Sequence, residues 1–185
     1  MARLFVQISV SADGFIEDAA GNLDWFTADK MAEGFATDTL RSIGGMVFGR
    51  KAHALLADFW KNAAADDPSP DLPEQRRLMN GLPKYVLAHA ALEVDWEQSQ
   101  QVTLEDLGRI KREANRPIAL FAGASAVRAA LGAGLVDELR FIRYPVLLGS
   151  GKPLFDGTGQ RRLLTLVEER PFTSGAVVSR YSLGG

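Results

Sequence analysis

Two short turns in this chain lead from glycine into the start of a helix, and each has the makings of an anion site. Ala122-Gly123-Ala124-Ser125 separates the apolar run Ile118, Leu120 and Phe121 from helix-forming residues 126–131. A tight strand-to-helix turn of small residues lets a ligand approach the backbone. It also aims free N–H groups and the positive end of a helix dipole at one point. Gly49-Arg50-Lys51 follows the apolar Met46-Val47-Phe48 and opens a second helix over residues 52–60. Arg offers a phosphate a planar fork and Lys a point charge. Cations at a helix start oppose the macrodipole, which favours a phosphate partner over an idle, solvated first turn. Small residues between strand and helix also serve plain close packing, the other reading of the first turn taken alone.

Acids able to move a proton are harder to place. Glu33 and Asp38 fall near opposite edges of the apolar face of a helix predicted over residues 27–43, with Ala32, Phe35, Ala36, Leu40 and Ile43 inward and Thr27 or Asp29 as cap. An edge carboxylate there is either half-buried and catalytic or simply solvated. Trp25, beside Asp24 in a loop, reads either as a pocket wall or as a lid over the core. His53, one turn into its helix, has no partner pattern and reads as surface or packing.

The frame that must position these groups is an alternation of strands and helices. Residues 3–10 form a first, central strand that ends in Ser11-Ala12-Asp13-Gly14-Phe15-Ile16. Residues 84–88 form another, whose end at Ala88-His89-Ala90 lies where an open αβ sheet presents ligand contacts. Leu139, Phe141, Ile142, Tyr144, Val146 and Leu147 make a long strand running to the glycine turn Gly149-Ser150-Gly151. Residues 104–114 are an amphipathic helix capped by Thr103, while 93–102 is a short strand or loop. Gly132 and Gly134 stop the helix that starts after Ser125. Residues 61–80 hold an acidic, proline-rich loop and then a short helix at 74–80. Residues 162–171 and 175–183 form a C-terminal hairpin turning near Thr173-Ser174-Gly175.

Bulk properties narrow the class. A chain of 185 residues is one domain, and 46% hydrophobic with 24% charged residues is ordinary for a soluble globular protein. A formal net charge of −2 gives no electrostatic case for nucleic acid or an anionic membrane surface. Without cysteine there is no disulfide, thiolate or cysteine-ligated metal, and two histidines cannot build a histidine-rich metal centre. No apolar run approaches the roughly 20 residues that span a bilayer. The first residues lead straight into strand pattern without a signal-peptide cleavage region, so a cytoplasmic protein is expected.

Five pieces in one order resemble a known group: DGF with DW, then FGRK, PKYVL, AGASAVRAALGAGLVDEL and PVLLGSGKPLF. They are similar to the dihydrofolate reductase-like superfamily, and most of all to the reductase domain of the bifunctional riboflavin-biosynthesis deaminase-reductase and its stand-alone relatives. The resemblance runs from the first strand to the C-terminal hairpin. Its most specific part is Gly134 to Leu139 with Pro145 to Gly151. It implies a three-layer α/β/α fold, with a central mixed, mainly parallel sheet, a C-terminal antiparallel hairpin and an NADPH groove at the strand ends. By the same resemblance Gly49, Arg50 and Lys51 contact cofactor phosphates. Ala122 and Gly123 match paired glycines that approach nicotinamide and pyrophosphate, with Ala124 and Ser125 of the same turn as further cofactor-binding candidates, and Ser11, Asp13 and Gly14 lie beside nicotinamide and substrate. Asp13, Glu33 and Asp38 are the catalytic candidates, and Trp25 the substrate-pocket candidate.

The chain also departs from the family pattern. Ala52 stands where Thr is common, Ala122 replaces the first of paired glycines, and Ala88-His89 replaces a serine-arginine pair on the adenosine side. His89 therefore either stacks on adenine or does nothing. The resemblance implies an NADPH-dependent reductase of a small pyrimidine- or pteridine-like heterocycle, similar to 5-amino-6-(5-phosphoribosylamino)uracil reductase or dihydrofolate reductase, and a homodimer. A nucleotide-binding module without turnover and a purely structural role through dimerisation are the alternatives.

Overall fold

A computed structural model describes residues 1–25, 34–62, 72–88, 90–121, 123–156 and 161–184. In chain order its elements are β1 (Leu4–Ser11), β2 (Phe15–Asp18), α1 (Phe35–Ser42), β3 (Gly45–Gly49), α2 (Arg50–Asn62), α3 (Leu72–Gly81), β4 (Lys84–Leu87) and β5 (Ser99–Val102). There follow α4 (Leu104–Glu113), β6 (Ile118–Phe121), α5 (Ala124–Gly132), β7 (Glu138–Tyr144), β8 (Gly151–Pro153), β9 (Leu164–Pro171) and β10 (Val177–Leu183). Eight strands form one sheet in the order β5-β4-β3-β6-β1-β7-β10-β9. From β5 to β7 all neighbours are parallel, whereas β10 runs antiparallel to both β7 and β9. The expected three-layer α/β fold with a mixed, mainly parallel sheet and a C-terminal hairpin is what the chain adopts.

Strand β1 shows why. Its apolar run is nearly continuous because helices cover both faces of a parallel sheet. Leu4, Val6 and Ile8 pack with Leu107 of α4 and Ala124, Val127 and Ala130 of α5. Phe5 points the other way, into a cluster with Leu40, Trp60 and Met79 of α1, α2 and α3. Helix α4 starts where its cap was read: Thr103 Oγ1 accepts from the Asp106 amide at 3.1 Å, and Asp106 Oδ2 accepts from the Thr103 amide at 3.1 Å.

Buried charges stitch the frame. Lys84 is 0% exposed and donates to the carbonyls of Asn80, Leu82 and Glu97, each at 2.8 Å, with its ammonium over the Trp96 ring. Burial pushes this ammonium down to about 8, so it is still charged at neutral pH. At the N-terminal ends of β1 and β7, Asp137 accepts from the Leu4 amide at 2.8 Å and from Lys111. The neighbouring Glu138 takes Arg140 at 2.5 Å and Arg180 at 2.9 Å.

Three expectations change. Phe15 and Ile16, read with the turn that ends the first strand, instead open a strand, because β2 pairs antiparallel with β8, far away in the chain. The long strand stops at Tyr144 instead of running to Leu147, since Pro145 has no N–H for the ladder. The helix expected from residue 27 is described only as α1, entered through Gly34; Thr27, Asp29, Ala32 and Glu33 lie outside the described residues.

Candidate active site

The C-terminal ends of the parallel strands open on a cavity of about 1130 Å³. Gly49 ends β3 there, Leu87 ends β4, Val102 ends β5 and Phe121 ends β6, and all four line it. Arg50 and Lys51 from the first turn of α2 and Gly123 and Ser125 from the start of α5 share the same wall. The two helix starts touch: a Cβ on Gly49 would come within 3.3 Å of the Ala126 Cβ, so glycine is what lets them converge. Neither helix has an acid in its first turn, and no side chain caps α5. Its leading amides and dipole are therefore left for an anion.

Gly123 has the geometry of a cradle. It sits at φ +93°, ψ 100°, and a Cβ built there would meet nothing within 4 Å. Only glycine holds that conformation without strain, and the space a side chain would take is open. These observations fit a nucleotide's phosphates. Ala124, by contrast, turns its methyl into the core between α5 and the sheet, so its part in the turn is played by backbone.

Ser11 and Asp13 do other work. The buried Ser11 hydroxyl donates to Asp13 Oδ1 at 2.6 Å and accepts from the Phe15 amide at 2.9 Å. Asp13 in turn accepts from the Gly149 amide at 2.8 Å and the Leu148 amide at 3.3 Å. The Ser11 hydrogen bond, helped by the two amides, holds the Asp13 carboxyl below its usual range, so it is ionised at neutral pH. Neither residue is on the cavity lining. The pair ties the end of β1 to the glycine turn that leads into β8. It thereby places the β2–β8 ribbon, whose Ile16, Glu17 and Lys152 do line the cavity. Asp13, expected beside nicotinamide and substrate, is thus off the cavity lining and braces the ribbon.

Asp38 is likewise not brought to the cavity. Ala36 and Leu40 of α1 line it, and Asp38, two positions from each, points outward and pairs with Arg41 at 3.2 Å. Trp25 packs edge-on against Tyr144 at 5.8 Å, over the cluster of Phe172, Ala176 and Val178, which makes it a cover for the hairpin rather than a pocket wall. Glu33, His89 and Ala122 lie outside the described residues. His53 is buried in packing, with Nε2 2.9 Å from Ser99 Oγ.

Polar residues missed in the sequence line the cavity instead. Gln7, 7% exposed, accepts from Thr39 Oγ1 at 3.5 Å, and Gln75 donates to Thr37 Oγ1 at 3.1 Å. A glutamine inside the apolar run of β1 was the available signal, since a buried amide requires a partner. Gln101 donates to the carbonyls of Ala88 and Ala90 at 3.1 and 3.0 Å, fixing the loop after β4.

The family model of the RibD C-terminal domain matches residues 2–178. The chain belongs to that family. It is 34% identical over 186 residues to the uncharacterized protein YyaP of Bacillus subtilis, covering 99% of this chain and 96% of that one. Among solved structures, a putative riboflavin biosynthesis protein from Shewanella sp. PV-4 superposes with a TM-score of 0.75 at 23% identity, covering 100% of both chains. A dihydrofolate reductase from Enterococcus faecalis, complexed with NADP(H), gives 0.62 at 13% identity over 99% of this chain and 97% of that one. For this RibD C-terminal domain, membership supports a reductase-type function. Its most recognisable stretch, Gly134 to Leu139, lies at the opposite end of the sheet from the cavity. There Asp137 and Glu138 bind Lys111, Arg140 and Arg180. That part of the motif marks the fold, and the glycine turns mark the site.

Proposed function

We propose that this RibD C-terminal domain is an NADPH-dependent reductase of a small planar nitrogen heterocycle, pyrimidine- or pteridine-like. The observation that carries this reading is the convergence of two acid-free helix starts, Arg50, Lys51 and the open Gly123 turn on one cavity. NADPH, when bound, supplies the hydride. The chain's own residues bind and orient: the α5 amides and Gly123 receive phosphate oxygens, and Arg50 and Lys51 pair with the 2′-phosphate. The Ser11–Asp13 brace holds the β2–β8 ribbon against the site. The test is a titration of the purified protein with NADPH, read by nicotinamide fluorescence, and no fluorescence change at saturating protein would sink the proposal.

Arg50→Ala should weaken NADPH by about tenfold to a hundredfold, the range expected for losing a charge-assisted hydrogen bond, with little change for NADH. Equal losses for both cofactors would show that Arg50 does not read the 2′-phosphate. A binding module without turnover is the second reading, favoured by the Ala52 methyl on the cavity wall where the family pattern has a hydroxyl. Steady consumption of NADPH over many turnovers would exclude it.

A cytoplasmic homodimer completes the proposal. Among the described residues no helix is long and apolar enough to cross a membrane. Strand β9 is the sheet edge, every residue of it is exposed, and Leu164, Leu166 and Val167 are among them. An apolar edge strand calls for a cover, and a second copy supplies one. Sedimentation should give twice the 20.1 kDa of the chain, and a monomer at micromolar concentration would count against it.

A further inference from the structure

The cavity has two chemically different ends, and α2 runs between them. Arg50 and Lys51 stand in its first turn, while Leu55, Leu56 and Trp60 line the cavity farther along. At a rise of about 1.5 Å per residue, Trp60 lies roughly 15 Å along the axis from Arg50. Leu40 of α1 and Met79 of α3 close the far end. Leu56, one turn from Trp60 on the same face of α2, is only partly buried against that cluster, whereas Leu55 stands one turn from Lys51.

Among the described residues this end is also without cations. Among the described residues the Lys and Arg on the lining are Arg50, Lys51 and Lys152, and Lys152 is paired with Glu17 at 2.9 Å. Outside the described residues, Lys30 is the one Lys or Arg in the sequence. What the far end offers for hydrogen bonding is neutral. Gln7 spends its oxygen on Thr39 and Gln75 its N–H on Thr37, which leaves one amide donor and one amide acceptor without a partner among the described residues. A lactam edge, with adjacent N–H and C=O, matches that pair. A phosphate ester would give up its water there for no cation.

We infer that the substrate is an uncharged, unphosphorylated heterocycle carrying an apolar group, aromatic or branched aliphatic, which seats against Leu56, Trp60 and Met79. This rests on the cofactor reading, which assigns Arg50 and Lys51 to NADPH. It separates this chain from a reductase that acts on a phosphoribosyl compound.

The test compares three probes by calorimetric titration of the full chain with saturating oxidised cofactor: pteridine-2,4-dione, its 6-phenyl derivative and its 6-(phosphonooxymethyl) derivative. An NADPH fluorescence titration is run on the same sample. Burying the phenyl ring should tighten binding by about tenfold or more over the bare ring, and the phosphate ester should bind about tenfold more weakly than the bare ring. Leu56→Lys should reverse the order by supplying the missing cation, and Leu56→Glu should weaken the phosphate ester further, with the NADPH titration reporting that each variant is folded. Wild type binding the phosphate ester as tightly as the phenyl probe would overturn the inference. So would a protein that binds NADPH and none of the three probes, with the cofactor reading left standing. A protein that prefers the phenyl probe but does not bind NADPH would overturn the cofactor reading and uphold the apolar subsite.

Discussion

Gly123→Val is expected to erase the rise in melting temperature that NADPH gives the wild-type protein. A ligand that binds only the folded state adds about 2.7 kcal/mol of stability at a hundredfold excess over its dissociation constant, so the wild-type shift is large. Two physical effects act on the variant, and they are separable. Residue 123 sits at φ +93°, where a β-branched side chain costs about 1–3 kcal/mol of backbone strain whether or not ligand is present. Among the described residues, chain neighbours aside, the Cβ meets nothing within 4 Å, so the added carbons occupy open space beside the α5 amides, where the cofactor's phosphates would lie. The apo variant should therefore melt below the apo wild type and show no NADPH shift.

Gly134→Ala is the control. Gly134 is also at positive φ, +68°, with nothing within 4 Å of a Cβ, but it lies beyond the other end of α5. It should lower the melting temperature through strain alone and keep the full shift. If Gly123→Val kept its shift, the turn would be a packing feature and the cofactor reading would lose its main support.

Glu138→Gln is expected to cost about 3–5 kcal/mol of folding stability while leaving NADPH affinity at the wild-type value. The carboxylate is 3% exposed and holds Arg140 at 2.5 Å and Arg180 at 2.9 Å, and the Arg140 guanidinium also lies 3.5 Å from the centroid of the Phe5 ring. Neutralising Glu138 leaves the Arg140 charge buried without its counter-ion. Burial by itself raises the Glu138 carboxyl, but hydrogen bonds from Arg180 and Arg140 outweigh it and hold the group below the usual range. The folded value is thus below the unfolded one. The stability from this group is complete above the unfolded value and is lost as pH falls through the folded value. Denaturant titrations at several acidic pH values should show a shallower loss in the variant than in the wild type. A variant of wild-type stability that fails to bind NADPH would instead place this motif in the site.

The sequence by itself determined the elements and the two glycine turns on the cavity wall, because both rest on local chemistry. The Thr103 cap needs only Asp106 three residues away, and β1 declares its burial on both faces through its own apolar run. Gly49-Arg50-Lys51 and Gly123 were legible because a glycine between strand and helix is required by the turn itself. Tertiary structure decided the rest. The β2–β8 pairing joins residues more than 130 positions apart, and no local pattern encodes a partner at that distance. Asp13 reads as a catalytic candidate until its carboxylate is seen to be held by the Leu148 and Gly149 amides, which follow the end of β7. Asp38 and Leu40 are two residues apart on one helix, and only the packing of α1 decides which of them faces the cavity. The apolar end of the cavity comes from side chains on α1, α2 and α3, distant in sequence and brought together by burial against Phe5 and Phe48. Hydrophobic burial is non-directional, so it assembles that wall without leaving a motif to be read.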